Sequence, residues 1–262
     1  MLKIAAIQID LAFGDPAVNR LKIKNMIEKA SVNGPDVIVL PEMWNTSFSM
    51  NNLKDLADRE GEPTKSMISE LSRKYHVNIV AGSIADRYGD KIYNRLYVAN
   101  RQGEIHSYYD KVHLVRHARE DEYLTAGNTS RIFSIDGIAC GAIICYDIRF
   151  PELSRALALK GAKILFIPAQ WPETRIEHWK ALAIARAIEN QMYVVAVNRI
   201  GSEFKATFPG NSLIVDPWGK VLAESNCEET ILESEIDIDL VERIRRKVPC
   251  FQDRNEAAYG ID

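Results

Sequence analysis

Four short apolar runs constrain what this chain can fold into. They are Asp36–Leu40 (DVIVL), Ile138–Ile144 (IACGAII), Lys163–Pro168 (KILFIP) and Tyr193–Asn198 (YVVAVN). Runs this short, with so little polar alternation, read as strands buried on both faces. Helix signals separate them. Asp15-Pro16 supplies an N-cap followed by proline at the first helical position, and Val18, Leu21, Met26 and Ile27 make a rough apolar stripe ending by Gly34. Pro63–Tyr75 carries Met67, Ile68 and Leu71 on one face. Thr174-Arg175-Ile176-Glu177 matches a capping box at the head of a helix running to Asn190.

Antiparallel pieces are interleaved with these units. Lys91–Ala99 and Glu104–Asp110 read as a hairpin around Asn100–Gly103, and Ser212–Asp216 with Val221–Glu224 as another. Lys3–Ile9, Val77–Ser83 and Thr230–Ile236 are further strands, while the tail Pro249–Asp262 is polar and irregular. The alternation predicts a mixed sheet, or two sheets packed together, with helices outside. With no internal repeat or linker, residues 1–262 are expected to form one α/β domain.

Within this framework Gly137–Leu153 (GIACGAIICYDIRFPEL) stands out. The strand stops at Cys145, Pro151 suits the first turn of a helix, and Gly161 ends that helix. A cysteine is thereby set in a strand-to-helix turn, near backbone N–H groups that favour negative charge. Such a thiol is either a nucleophile or a small core hydrophobe, and this stretch alone leaves both open. Cys140 reads as the latter. Glu42 follows a buried strand at its carboxyl end, where α/β sites are built; it is either a surface glutamate in a loop, the commonest fate of its type, or a partly desolvated carboxyl raised toward general-base range. Read alone, Lys111 and Glu120 are surface charges.

Composition narrows the classes of function. A net charge of −3 over 262 residues makes no electrostatic case for nucleic acid, and the basic run Arg243–Lys247 reads as a solvated helix face. Four cysteines and five histidines show no metal-ligand spacing, and no phosphate-binding glycine motif occurs. No window approaches the roughly 18 apolar residues of a membrane span. Free thiols and a first segment without a secretory h-region suit a soluble, cytoplasmic protein.

Three segments together resemble the carbon–nitrogen hydrolase (nitrilase) superfamily. They are Val39-Leu40-Pro41-Glu42, Tyr109-Asp110-Lys111-Val112-His113-Leu114 and Cys145-Tyr146-Asp147-Ile148-Arg149-Phe150-Pro151-Glu152-Leu153. Pro168–Pro172, His178-Trp179, Ala185–Gln191, Gly210–Ser212 and Val215–Gly219 extend the likeness over nearly the whole chain. The resemblance implies a four-layer αββα sandwich, two mixed sheets face to face with helices outside, and pairing into a homodimer. It implies Glu42 as general base, Lys111 as electrophilic stabiliser, Cys145 as nucleophile and Glu120 as a second glutamate beside the lysine. Neither a metal nor an organic cofactor is implied.

The nucleophile segment is closest to the omega-amidase-like branch, which hydrolyses the terminal carboxamide of small dicarboxylic monoamides such as 2-oxoglutaramate. Pro41–Thr46 and the tail Pro249–Tyr259 also look like that branch, although Asn255 stands where arginine followed by proline is common. A substrate carboxylate calls for a cation. Arg149 is one candidate, with an ion pair to Asp147 or Glu152 as its plain alternative; Arg116 and Arg175 are others. Trp44, Tyr146, Trp171 and Phe208 are expected to wall a small-molecule pocket, with core packing as the plain alternative for aromatic residues. The rivals are another amidase or N-carbamoyl hydrolase of this fold, a nitrilase, or a catalytically silent binding subunit.

Overall fold

The side chains of the first strand sort strictly by parity. Leu2, Ile4 and Ala6 enter one hydrophobic core, while Ala5 and Ile7 enter another. A strand can do this only if both its faces are covered. The computed structural model of the chain describes residues 1–204 and 206–260. The last two residues of the expected irregular tail lie outside them.

The first half contains β1 (Leu2–Gln8), α1 (Pro16–Ser31), β2 (Val37–Val39), α2 (Leu53–Leu56), β3 (Asp58–Arg59) and α3 (Thr64–Tyr75). It continues with β4 (Asn78–Val80), β5 (Ile84–Tyr88), β6 (Lys91–Ala99) and β7 (Ile105–Asp110). The second half begins with β8 (Ile132–Ile135), β9 (Ile138–Ala142), α4 (Pro151–Leu159), β10 (Ile164–Ala169), α5 (Ile176–Asn190) and β11 (Tyr193–Asn198). A separate hairpin, β12 (Ile200–Glu203) and β13 (Ala206–Pro209), precedes β14 (Leu213–Val215) and β15 (Val221–Glu224). Finally β16 (Thr230–Ile236) leads to α6 (Asp239–Lys247).

Two mixed sheets result. The first has the order β16-β1-β2-β4-β6-β5-β3, with β7 also paired to β6. The second runs β15-β14-β11-β10-β9-β8. Strand β16 crosses from the second half to pair antiparallel with β1, Leu2 opposite Ile236, so the chain's two halves share a sheet.

Between the sheets pack Ile4, Val37, Val39, Val80 and Leu96 from one side and Cys140, Ala142 and Phe166 from the other. Outside the first sheet, Ile23 and Ile27 of α1 and Ile68 and Leu71 of α3 cover Ile38 and Ile79. Outside the second lie Leu157 of α4, Ala183 of α5 and Val241 of α6. Each fully buried aliphatic side chain contributes roughly 1.5–3 kcal/mol of transfer free energy. The order of layers is the expected αββα sandwich.

Details differ from expectation where polar residues intervene. In α1 the N-cap forms, Asp15 Oδ1 accepting the Val18 N–H at 3.0 Å. Val18 and Leu21, however, face solvent, and Asn19 is buried instead. Asn19 accepts the Ala12 N–H at 2.7 Å and donates to the carbonyls of Ala12 and Asn45, anchoring two loops. The Thr174–Glu177 capping box does not form: a 3₁₀ turn, Glu173–Arg175, precedes α5, whose N-cap position is Arg175 without a side-chain cap. Among the described residues, no helix is long and apolar enough to cross a membrane.

Candidate active site

The carboxyl end of β2 carries Glu42. Its loop is fastened to the one after β4: Leu40 N–H donates to the Val80 carbonyl (3.0 Å), Ser83 N–H to Pro41 (3.1 Å), and Trp44 N–H to Ser83 (3.0 Å). Gly82 sits at φ +56°, and a Cβ there would come within 2.0 Å of the Pro41 carbonyl oxygen, so only glycine permits this approach. Glu42 is completely buried. Its Oε1 accepts Asn94 Nδ2 at 2.8 Å and Lys111 Nζ at 2.9 Å, and its Oε2 accepts the Gln170 N–H at 2.8 Å. Three donors and no acceptor around the group favour the carboxylate as base.

Lys111 follows β7 and is held through its backbone, the N–H donating to Asn94 (2.9 Å) and the carbonyl accepting from Gly127 (2.8 Å). The buried ammonium also donates to Glu120 Oε1 at 3.0 Å. Glu120 in turn accepts the Val115 N–H at 3.0 Å. A lysine and a glutamate that read as surface charges are thus withdrawn from water together, because each satisfies the other.

Cys145 lies beyond β9, in a 3₁₀ turn (Cys145–Arg149) rather than in the helix itself, with its backbone at φ +47°. That left-handed conformation is costly for a non-glycine residue and recurs at functional sites. The thiol lies 3.9 Å from the Gln170 carbonyl. Among the described residues no group accepts the N–H of Tyr146.

The charges of this group bias one another. Burial raises the Glu42 carboxyl, an effect that Lys111 opposes. Burial also raises the Cys145 thiol well above its ordinary value, reinforced by the Glu42 charge and countered by Lys111. For Lys111, burial works against the charge, but Glu42 and then Glu120 outweigh it and hold the ammonium firmly protonated. The resting group is therefore a neutral thiol beside a carboxylate that can take its proton and an ammonium that can meet a new negative charge.

Cys145 opens into a cavity of about 710 Å³, walled by Glu120, Tyr146, Arg149, Trp171, Arg175 and Phe208 among others. The Arg149 guanidinium lies 4.7 Å from the Trp171 ring centroid, and its nearest polar partner is His178 Nδ1 at 3.4 Å. The alternative ion pair with Asp147 or Glu152 does not form: Asp147 is occupied by Tyr109, His113 and Ile144. Burial and then the neighbouring Arg175 lower the Arg149 pKa, so two guanidiniums stand close together in the cavity wall. Arg116 faces an adjoining cavity instead.

Trp44 is a correction. It is fully buried in the core beneath the helices, its indole N–H donating to the Ala81 carbonyl at 2.7 Å, and it does not line the cavity. Two residues absent from the expectations are Asn94 and Gln170, which hold Glu42. Asn94 had a detectable signal: it shares the strand phase of Leu96 and Val98, a polar residue on a core face.

The chain matches the family described as Carbon-nitrogen hydrolase over residues 3–246. It is 44% identical to 2-oxoglutaramate amidase of Bacillus subtilis over 98% of both chains. It is 34% identical to the chloroplastic omega-amidase of Arabidopsis thaliana, over 91% of this chain and 68% of that one. Its fold superposes with a TM-score of 0.91, at 29% identity and 97% coverage of both chains, on a CN-hydrolase superfamily protein of Xanthomonas campestris whose active site carries an arsenic adduct. With its thiol, carboxylates and buried ammonium converging at the ends of two sheets, the chain belongs to the carbon–nitrogen hydrolase family.

Proposed function

We propose that this protein is an omega-amidase, cleaving the terminal carboxamide of a small dicarboxylic monoamide of the 2-oxoglutaramate type. The observation that carries the reading is a nucleophile group at the floor of a cavity whose wall holds a guanidinium, Arg149, paired with no carboxylate among the described residues. Similarity to 2-oxoglutaramate amidase supports the same substrate class.

The chemistry follows from the geometry. Glu42 takes the Cys145 proton as sulfur attacks the carboxamide carbon, since a thiol this strongly raised does not ionise unaided. The oxyanion is met by Lys111 Nζ and the Tyr146 N–H; donors of this kind contribute about 2.7–4 kcal/mol each. Glu42 returns the proton to the leaving nitrogen, ammonia departs and a thioester remains. Water, deprotonated by Glu42 with Glu120 holding Lys111 in place, then hydrolyses the thioester to the carboxylate and free thiol. Arg149, backed by Trp171 and with Arg175 nearby, grips the substrate's far carboxylate, while Tyr146 and Phe208 wall its carbon chain.

A substrate panel read by ammonia release tests this. Turnover of 2-oxoglutaramate and succinamate is expected. Turnover of an N-carbamoyl compound or a simple nitrile without them overturns it, and no turnover of any of these favours a silent binding subunit.

We further infer that residues 1–262 work as one domain and as a homodimer in a reducing cytoplasm. The core shared by both sheets supports the first. Ile188 and Trp218, large apolar side chains half exposed on one side of the second sheet, support the second. Free Cys227 and Cys250, both exposed, support the third.

A further inference from the structure

The two segments that bring nucleophile and ammonium together meet at one buried carboxylate that the mechanism above does not use. Asp147 is wholly inaccessible to solvent. Its Oδ1 accepts the His113 backbone N–H and the His113 ring Nδ1–H, both at 2.8 Å. Its Oδ2 accepts the Tyr109 hydroxyl at 2.7 Å and the Ile144 N–H at 3.0 Å. Tyr109 and His113 stand two residues before and two after Lys111, whereas Ile144 immediately precedes Cys145. One carboxylate therefore grips the lysine segment on both sides and the nucleophile turn at its entrance.

The remaining contacts make this grip directional. The His113 ring stacks on Phe150 at 3.6 Å between centroids, with 7° between the planes, so the turn's far end is fixed to the same residue. Because an ionised carboxylate only accepts, the four donors are matched by four lone-pair positions, and an amide at this place would turn a donor toward them. Cys145 keeps its left-handed backbone only while its surroundings dictate it.

We infer that Asp147 is a positioning residue for the reaction: it sets the distance between the Cys145 sulfur and the Lys111 ammonium by hydrogen bonding both segments. The kinetic half of this inference rests on the amidase reading; the chemical half, alkylation of Cys145, does not.

The test compares Asp147→Asn, Tyr109→Phe and the double variant by steady-state kinetics and by peptide-resolved iodoacetamide labelling of Cys145. In Asp147→Asn that still melts cooperatively, kcat should fall about 100-fold, the order expected for a misplaced reacting group, with KM within about threefold. Labelling of Cys145 should slow about tenfold or more, whether or not any amide is turned over. Tyr109→Phe alone should lower kcat about tenfold but add less than about twofold in the Asp147→Asn background, since both act through one carboxylate. Wild-type kcat and labelling rate in folded Asp147→Asn, or effects that multiply in the double variant, overturn the inference. Should Asp147→Asn fail to fold, a Tyr109→Phe protein with unchanged kcat and labelling overturns it.

Discussion

Lys111 Nζ donates to Glu42 Oε1 across 2.9 Å, joining residues 69 positions apart at the ends of different strands. Both groups are out of reach of solvent. Removing one partner of such a pair leaves the other charged and unpaired in a low-dielectric site, which is far more damaging than loss of an exposed ion pair.

Lys111→Ala should therefore lower kcat/KM at least about a hundredfold, the scale of a lost oxyanion donor. It should also move the acid limb of the pH profile upward, because Lys111 is what restrains the burial-driven rise of Glu42. Steady-state rates across pH 4 to 9, taken as round limits spanning the ordinary carboxyl and thiol ranges, check both effects.

As the proposed base, Glu42 must be deprotonated to act in the wild-type protein. Since burial raises Glu42 above its ordinary 4.5, kcat/KM should fall as pH drops through a value higher than that. No matching alkaline fall is expected below the ordinary thiol value of 9.0, because Cys145 and Lys111 are both shifted upward. A pH–rate profile checks this, and a bell centred near neutrality contradicts it.

Arg149→Leu should raise KM for an omega-amide acid by roughly 10- to 150-fold, the equivalent of a charged hydrogen bond worth about 1.5–3 kcal/mol. The same variant should hydrolyse a neutral amide such as propionamide as the wild type does, because the guanidinium lines the cavity wall and has no part in the hydrogen bonds that hold Glu42 and Lys111. Paired KM measurements on the two substrates check it.

Trp44→Phe tests whether residue 44 serves the core rather than the cavity. Loss of the indole N–H leaves the buried Ala81 carbonyl without its partner, so the variant should lose about 1–3 kcal/mol of stability in urea unfolding. Substrate KM should stay within about twofold, since residue 44 does not border the cavity.

Much of this architecture was legible in the residues, for identifiable reasons. Strands such as Ile164–Ala169 are buried on both faces, so their apolar runs carry an unbroken signal. The β12–β13 hairpin gives no strand signal, because IGSE and ATFP are four residues each, carry a glycine or a proline, and lie outside both sheets. Val18 and Leu21 misled because an apolar residue on a surface helix face is ordinary, while a buried Asn19 is decided by loops distant in sequence.

At the site, Glu42, Lys111 and Cys145 stood out through family resemblance, since a lone lysine or glutamate beside a strand signals nothing. Asn94 and Gln170 act through hydrogen bonds that only the folded chain reveals. Arg149 is one of several arginines in the sequence; its place over Trp171 in the wall of the Cys145 cavity separates it from Arg116, which lines the adjoining one.

In the proposed reaction the sulfur of residue 145 carries the acyl group. Glu120→Gln should slow thioester hydrolysis, so brief incubation of that variant with 2-oxoglutaramate followed by peptide mass spectrometry should find the acyl mass on Cys145 alone. An acyl group on Cys140, Cys227 or Cys250, or undiminished ammonia release by Cys145→Ala, contradicts the account.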